Sequence, residues 1–144
     1  MSSVPFHYVD LRAFCYDTED EKRVESALRT FLPEDVEIER EETEGHHGDR
    51  ILVLSVRLER ADEIRTVLSK LEALDDYRRL RNELDDRIDD NCALFLQLDK
   101  QAAFGGEVEL GDGLMLRAKV EVYPAKRQKA IDVAEDTLEE LAQE

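Results

Sequence analysis

The sequence GDGLMLRAKVEVY, residues Gly111–Tyr123, decides what kind of sheet this chain can form. From Leu114 onward apolar and polar side chains alternate, and Arg117 and Lys119 occupy two of the polar positions. Because successive side chains of a strand point to opposite faces, the alternation predicts a strand with one buried and one open face. The glycines in Gly111–Gly113 favour a tight hairpin turn before it, since glycine accepts a positive φ at no steric cost.

The same two periodicities predict the other elements. The predicted strands are Phe6–Tyr16, Val36–Glu42, Ile51–Leu58, Cys92–Leu98, Glu107–Leu110 and Leu114–Tyr123. The first predicted helix is opened by a capping box of Thr18 and Glu21 and ended by Pro33. One bent helix or two consecutive helices fill the region from Ala61 to Ile88, and Pro124 takes the first position of the last helix.

These elements follow one another in the order β-α-β-β-α-α-β-β-β-α. Every predicted strand is half polar, so one face of the sheet is open or lightly covered. The prediction is therefore an α+β fold, a two-layer sandwich whose largely antiparallel sheet of about six strands carries helices on one face. At 144 residues the chain is long enough to bury a real core, and we expect residues 1–144 to form a single domain.

The charge of the chain is strongly one-sided. Asp and Glu number 36 and Lys and Arg 20, which gives a net charge of −16. The acids are spread over nearly every element, and arginine outnumbers lysine. Distributed acidity keeps a protein hydrated where salt screens repulsion, so the pattern favours a halophilic source over a special acidic interaction surface.

The cellular setting follows from the termini and the thiols. The first residues lack the basic and apolar regions of a secretory signal, and no apolar run reaches the roughly 20 residues that cross a bilayer. Cys15 and Cys92 lie far apart in apolar segments and are predicted to be two buried thiols rather than a disulfide. A cytoplasmic protein is expected, with no membrane partner.

Catalytic motifs do not emerge from the sequence. His46 and His47 could contribute to a metal site, but adjacent residues rarely reach one ion together, and the flanking glycines favour a simple turn. Gly105-Gly106 is not followed by the Lys-Ser or the helix start of a phosphate-binding loop. We therefore expect neither enzymatic activity nor a cofactor or metal.

Basic residues suggest binding instead. Lys100 follows the strand Cys92–Leu98 in an acid-poor, glycine-containing loop predicted to be flexible, and we expect it to join Arg117 and Lys119 in a cationic patch. Lys126, Arg127 and Lys129 begin the last helix, where positive charge opposes the helix dipole, so they also favour a role in binding. The remaining cluster alternates with acids at helical spacing, so ordinary surface ion pairs explain it: Arg78, Arg79, Arg81 and Arg87.

Three motifs carry a family resemblance. They are DTED at Asp17–Asp20, EGHHGDRI at Glu44–Ile51, and LQLDKQAA at Leu96–Ala103 followed by Gly106. From Phe6 to Leu141 the chain resembles an archaeal family of predicted RNA-binding proteins, proposed to include an exosome subunit and to have a ribosomal-protein-like two-layer fold. The positions that match the motifs, and to which the resemblance assigns RNA contacts, are His46, His47, Arg50, Lys100 and Gln101.

Two functions are consistent with these observations. The first is a non-catalytic RNA-binding protein that works beside RNA-processing proteins, such as the exosome, and engages structured or double-stranded RNA by shape and phosphate contacts. The alternative is a protein-interaction or scaffold subunit that forms a homodimer through its sheet.

Overall fold

Strand β1 (Phe6–Tyr16) is the centre of a five-stranded sheet in the computed structural model, which describes residues 4–74 and 77–142. The other strands are β2 (Glu39–Glu44), β3 (Arg50–Leu58), β4 (Ala93–Asp99) and β5 (Gly113–Val120). Their spatial order is β2-β3-β1-β5-β4, and every neighbouring pair is antiparallel. The predicted antiparallel α+β architecture is confirmed.

Six helices accompany the sheet within the described residues. They are α1 (Glu21–Arg29), α2 (Ala61–Lys70), α3 (Tyr77–Asn82), α4 (Leu84–Arg87), α5 (Lys100–Phe104) and α6 (Arg127–Ala142). A 3₁₀ turn (Leu71–Ala73) follows α2, so the apolar stripe predicted as one bent helix or two is divided into shorter pieces.

The core lies between the helices and one face of the sheet. In β1 the side chains of Val9, Leu11 and Ala13 are buried, whereas the alternate positions are half-buried or exposed. Phe31 and Leu28 are fully buried against this layer. Removing such side chains from water contributes about 1.5–3 kcal/mol each, so the period-2 pattern fixes which face receives the helices.

The predicted sixth strand, Glu107–Leu110, is not a strand. Only Leu110 forms a bridge, opposite Leu98 on the outer edge of β4. The chain turns at the next residue, Gly111. Gly111 lies so close to β4 that an added Cβ would come within 2.6 Å of Asp99 Cβ. The segment is therefore too short to build a ladder.

Two helix starts also differ from the prediction. Asp20, not Thr18, caps α1, and its side chain accepts a hydrogen bond from the Lys22 N–H at 3.0 Å. The last helix begins at Arg127 rather than at Pro124, and the Tyr123–Pro124 peptide is cis. The sequence DTED offers several side chains that could cap the N-terminus of α1, and the packing of the helix determines which of them does so.

Strand β2 lies later in the chain than expected, at Glu39–Glu44 instead of Val36–Glu42. All six residues of this outer strand are exposed, and Arg40 forms an ion pair with Glu21 at the start of α1. Val36 and Ile38 pack against the core from the segment that precedes it.

Cys15 and Cys92 are both free and buried, as predicted. Burial raises the pKa of the Cys15 thiol. Across residues 4–74 and 77–142, no helix combines the length and the apolar character that spanning a membrane requires.

Candidate nucleic-acid interface

The uncovered face of the sheet aligns side chains that are distant in sequence. Asp10 on β1 lies opposite Arg57 on β3 and opposite Arg117 on β5, and Arg117 in turn lies opposite Phe95 on β4. Directly opposed residues of an antiparallel sheet share a face, so these four side chains form one row across the sheet. We call this face, without helices in the described part of the chain, the open face.

A second row runs beside the first. Arg12 lies opposite Ser55 and Met115, and Met115 lies opposite Gln97. Arg12 is exposed, and among the described residues its side chain has no ion pair and no hydrogen bond. Between the rows lies a depression of about 350 Å³ that Arg12 and Arg117 line from the two sides. An exposed guanidinium without an ion pair, beside a concave surface, is well suited to binding a phosphate.

One carboxylate of this face is already paired. Arg57 donates two hydrogen bonds to Asp10, at 2.7 and 2.8 Å. These hydrogen bonds raise the pKa of Arg57, outweighing the effect of its partial desolvation. The Arg57 guanidinium also lies 4.0 Å from the centroid of the Tyr8 ring. The pair leaves the charge of Asp10 largely compensated, and the other carboxylate that lines the depression is Glu39 on β2.

Lys119 and Arg117 share the open face, as the alternation of β5 predicted. The Lys119 ammonium donates to the carbonyl of Asn91 at the end of the loop before β4. Arg117 lies between two rings, 5.5 Å from the Phe95 centroid and 6.0 Å from the Tyr8 centroid. Its Nε is buried and has no hydrogen-bond partner among the described residues.

Lys100 is not on a flexible loop. It begins the short helix α5, which Asp99 caps by accepting a hydrogen bond from the Ala102 N–H at 2.9 Å. Lys100 is only 8% exposed, and its ammonium donates to the Phe14 carbonyl at 2.9 Å and to Glu19 Oε1 at 2.8 Å. The expected cationic patch therefore contains Arg117 and Lys119 without Lys100, whose charge is used inside the fold.

The histidine turn lies at one corner of the sheet. His46 and His47 are exposed in the tight turn between β2 and β3, which is closed by a hydrogen bond from the Gly45 N–H to the Asp49 carbonyl at 2.8 Å. The turn interpretation is confirmed. Arg50, at the start of β3, forms an ion pair with Glu42 at 2.8 Å. Within the described part of the chain, no three His, Cys, Asp or Glu side chains come together in a way that could hold a metal ion.

The cations before and within α6 belong to the helical layer. Arg127 Nε donates to the Ile88 carbonyl at 2.8 Å, and its Nη2 donates to the Asp85 carbonyl. Lys129 donates to the Tyr123 carbonyl, and Lys126 is exposed. Gln101 is exposed on α5. The structure does not bring these residues together with Arg117 and Lys119 on the open face.

Two of the helix arginines form the surface pairs that their spacing indicates, since Arg79 and Arg87 both contact Glu83, at 2.6 and 3.3 Å. Arg81 lies 3.8 Å from Glu139 on α6, a contact that the helical spacing does not indicate.

Sequence reasoning missed Arg12, Tyr8 and Phe95. Arg12 and Tyr8 occupy the polar phase of β1, and Phe95 occupies the same phase of β4 as Gln97. An aromatic residue at a solvent-facing strand position was therefore a signal available in the sequence. Its significance depends on the strand order, which places β4 and β1 on either side of β5.

Comparisons with known proteins show the family and the fold. A family model described as RNA binding matches residues 8–122. The RNA-binding protein PAB1135 of Pyrococcus abyssi is 33% identical over 92% of this chain and 94% of its own length. Protein AF2318 from Archaeglobus fulgidus superposes with a TM-score of 0.83 at 33% identity, covering 92% of this chain and 99% of that one. Mth689, a DUF54 protein from Methanothermobacter thermautotrophicus, gives 0.80 at 41% identity, covering 92% and 98%.

Proposed function

Because the chain belongs to the RNA-binding family whose model spans residues 8–122, we propose that it is a non-catalytic RNA-binding protein whose interface is the open face. One observation carries the placement. In a chain of net charge −16, Arg12, Arg57, Arg117 and Lys119 lie on the single sheet face that no described helix covers. The similarity to a relative named as an RNA-binding protein supports the choice of ligand.

The physical argument rests on local rather than net charge. Arginine guanidinium groups bind phosphate oxygens in two-pronged geometry, and such contacts position a nucleic acid without reading its sequence. Arg12 is unpaired within the described residues, and Asp10 is neutralised by Arg57. The depression is lined by three guanidinium groups, of Arg12, Arg57 and Arg117, and by two carboxylates, of Asp10 and Glu39, so a phosphate meets a local excess of positive charge there, while the acidic surface elsewhere repels it.

The sheet-mediated homodimer is disfavoured by the two outer strands. β2 presents Glu39, Glu41, Glu42 and Glu44 along one edge, where a second copy would bring like charges together. The edge of β4 is partly closed by bridges from Ile88 and Leu110. Association with RNA-processing proteins or the exosome stays a prediction that rests on the family resemblance.

A double charge reversal tests the placement. We expect Arg12→Glu with Arg117→Glu to weaken binding of a fluorescein-labelled RNA hairpin with a single-stranded tail by at least ten-fold, measured by anisotropy over a KCl series up to molar salt. The matched control, Lys22→Glu with Lys126→Glu, changes the net charge equally but on the helical layer, and should bind as the wild type does. The single variant Arg12→Glu guards against misfolding, since this side chain has no partner among the described residues to lose.

Two results decide against the proposal. Equal loss in both double variants would mean that net charge, not the open face, governs binding. No RNA binding by the wild type, together with a stable dimer by light scattering, would support the scaffold function instead.

A further inference from the structure

Aromatic side chains are concentrated on the open face. Of the four tyrosines and five phenylalanines in the chain, Tyr8, Phe14, Tyr16 and Phe95 occupy open-face positions. Tyr16 is 50% exposed and Phe95 38%. Exposed rings on a sheet face offer apolar surface that a ligand with flat apolar faces can cover.

The rings are interleaved with guanidinium groups. Arg117 lies between the rings of Tyr8 and Phe95, and the Arg57 guanidinium lies over the Tyr8 ring as well. The bidentate bonds from Arg57 to Asp10 hold that guanidinium in place. Planar arginine groups and aromatic rings are the two surfaces on which nucleic-acid bases stack in proteins. Tyr8, Arg57, Arg117 and Phe95 form what we call the stacking cluster.

The edge of β4 beside Phe95 is only partly closed. The Val120 N–H donates to the Cys92 carbonyl, so the even-numbered β4 residues bond to β5 and the odd-numbered ones point outward. Outward carbonyls at Ala93 and Gln97 accept hydrogen bonds from neighbouring segments. The bridge between Ile88 and Leu94 turns the Phe95 N–H toward Arg87, and the Phe95 carbonyl lies between the closed points, beside a cleft that Phe95 lines.

That cleft is large enough for a base and its sugar. Its volume is about 730 Å³, within the range of sites that hold small organic ligands. Phe95 and Met115 line both the cleft and the depression between the two rows, so the two hollows meet at these side chains. The wall opposite the sheet carries the guanidinium groups of Arg79 and Arg87, which both contact Glu83, and the carboxylates of Asp86 and Asp89. A backbone carbonyl, an aromatic edge and charged groups of both signs are thus adjacent.

We infer that, given the RNA-binding function proposed above, the open face selects single-stranded RNA by stacking unpaired bases on the stacking cluster, with one base entering the cleft beside Phe95. An A-form duplex keeps its bases stacked inside and presents phosphates and 2′-hydroxyls, which a flat array of rings cannot use. Unpaired bases present both π faces and free hydrogen-bonding edges. The inferred ligand class therefore differs from the structured or double-stranded RNA expected from the sequence.

The test compares one RNA in two states. A labelled 12-nucleotide RNA of unstructured A/C sequence is titrated alone and annealed to its complement, with wild type, Phe95→Leu and Phe104→Leu. Phe104 is the matched control: it is 39% exposed and lies under Arg23 at 4.2 Å, but on α5. We expect the single strand to bind at least ten-fold tighter than the duplex, and Phe95→Leu to lose about ten- to hundred-fold on the single strand alone. Phe104→Leu should lose nothing.

A second variant gives a readout independent of affinity. The chain has no tryptophan, so Phe95→Trp creates a single fluorophore in the stacking cluster. Stacking predicts affinity at least equal to the wild type and quenching of the tryptophan by the single strand but not by the duplex.

The outcomes separate the inference from the proposed function. Equal binding of duplex and single strand, with Phe95→Leu unchanged on both, overturns the inference and leaves RNA binding in place. Failure of both RNAs to bind overturns both. A dimer of the free protein that Phe95→Leu dissociates assigns the open face to a second copy of the chain, and likewise overturns the inference.

Discussion

Lys100 Nζ lies 2.8 Å from Glu19 Oε1, and this ion pair joins the start of α5 to the segment that leads into α1. The two side chains are 10% and 23% exposed, so both charges are largely removed from water. The ammonium also donates to the Phe14 carbonyl, which ties the pair to the central strand. The ion pair therefore has a structural role, and the charge of Lys100 is not free to bind a ligand.

We expect Lys100→Met to destabilise the fold by about 2–3 kcal/mol, because it leaves the Glu19 carboxylate buried without its partner. The measurement is urea unfolding at a fixed high KCl concentration. The double variant Lys100→Met with Glu19→Gln should recover part of the loss, since no unpaired charge remains. A Lys100→Met protein as stable as the wild type would show that the Lys100–Glu19 ion pair contributes nothing to the free energy of unfolding.

The same ion pair predicts that the stability of the fold depends on pH. Burial by itself would raise the pKa of Glu19, but hydrogen bonds from Lys100 and from the Tyr16 N–H outweigh it, so the pKa lies below its ordinary value of 4.5. A carboxyl group with a lowered native pKa stabilises the fold above its unfolded pKa, and this stabilisation is lost as the pH falls through the native pKa. The difference in unfolding free energy between wild type and Glu19→Gln should thus have its largest value above about pH 5 and decrease as the pH is lowered. A difference that grows in acid would contradict this assignment.

Asp10→Asn should strengthen RNA binding. The substitution removes the carboxylate that accepts from Arg57 on the open face, so phosphate meets one more uncompensated cation; we expect a gain of about three- to ten-fold in affinity at low salt. Asp62→Asn is the matched control, because Asp62 pairs with Arg60 at 3.2 Å at the start of α2 and its loss changes the net charge equally. Equal gains in both variants would point to net charge alone.

Gly113→Ala should destabilise the fold by about 2–4 kcal/mol. Gly113 has a φ of 104°, and an added Cβ would lie 2.7 Å from Lys100 Cβ. Gly105→Ala is the control, because Gly105 has a φ of −82° and its nearest contact would be the Ala102 carbonyl at 3.5 Å. Thermal unfolding monitored by circular dichroism distinguishes the two; similar melting temperatures would mean that the backbone at Gly113 adapts.

Arg127→Gln should reduce stability without weakening RNA binding. Its guanidinium donates to the carbonyls of Ile88 and Asp85, so the loss is about 1–2 kcal/mol for backbone acceptors left unsatisfied. Lys126→Gln, next to it and exposed, should change neither quantity. If the Arg127→Gln protein has normal stability but binds RNA ten-fold more weakly, Arg127 belongs to the RNA interface after all.

Local patterns predicted the architecture because burial of alternate residues is a local property. The alternation of β5 placed Arg117 and Lys119 on one face, and the structure agrees. Lys100 could not be placed in this way, because its partners Phe14 and Glu19 lie more than 80 positions earlier in the chain. The same limit applies to Phe95, whose neighbours on the open face depend on strand order.

The acidic strand β2 and the partly closed edge of β4 together set the width of the proposed RNA interface. The glutamates of β2 repel phosphates, so contact at that interface is confined to the strip formed by β3, β1, β5 and β4. Four strands spaced about 4.8 Å apart span about 14 Å, which accommodates two or three stacked bases. A footprint this short gives each chain weak hold on RNA, and tight retention would require several chains on one strand or a second binding module.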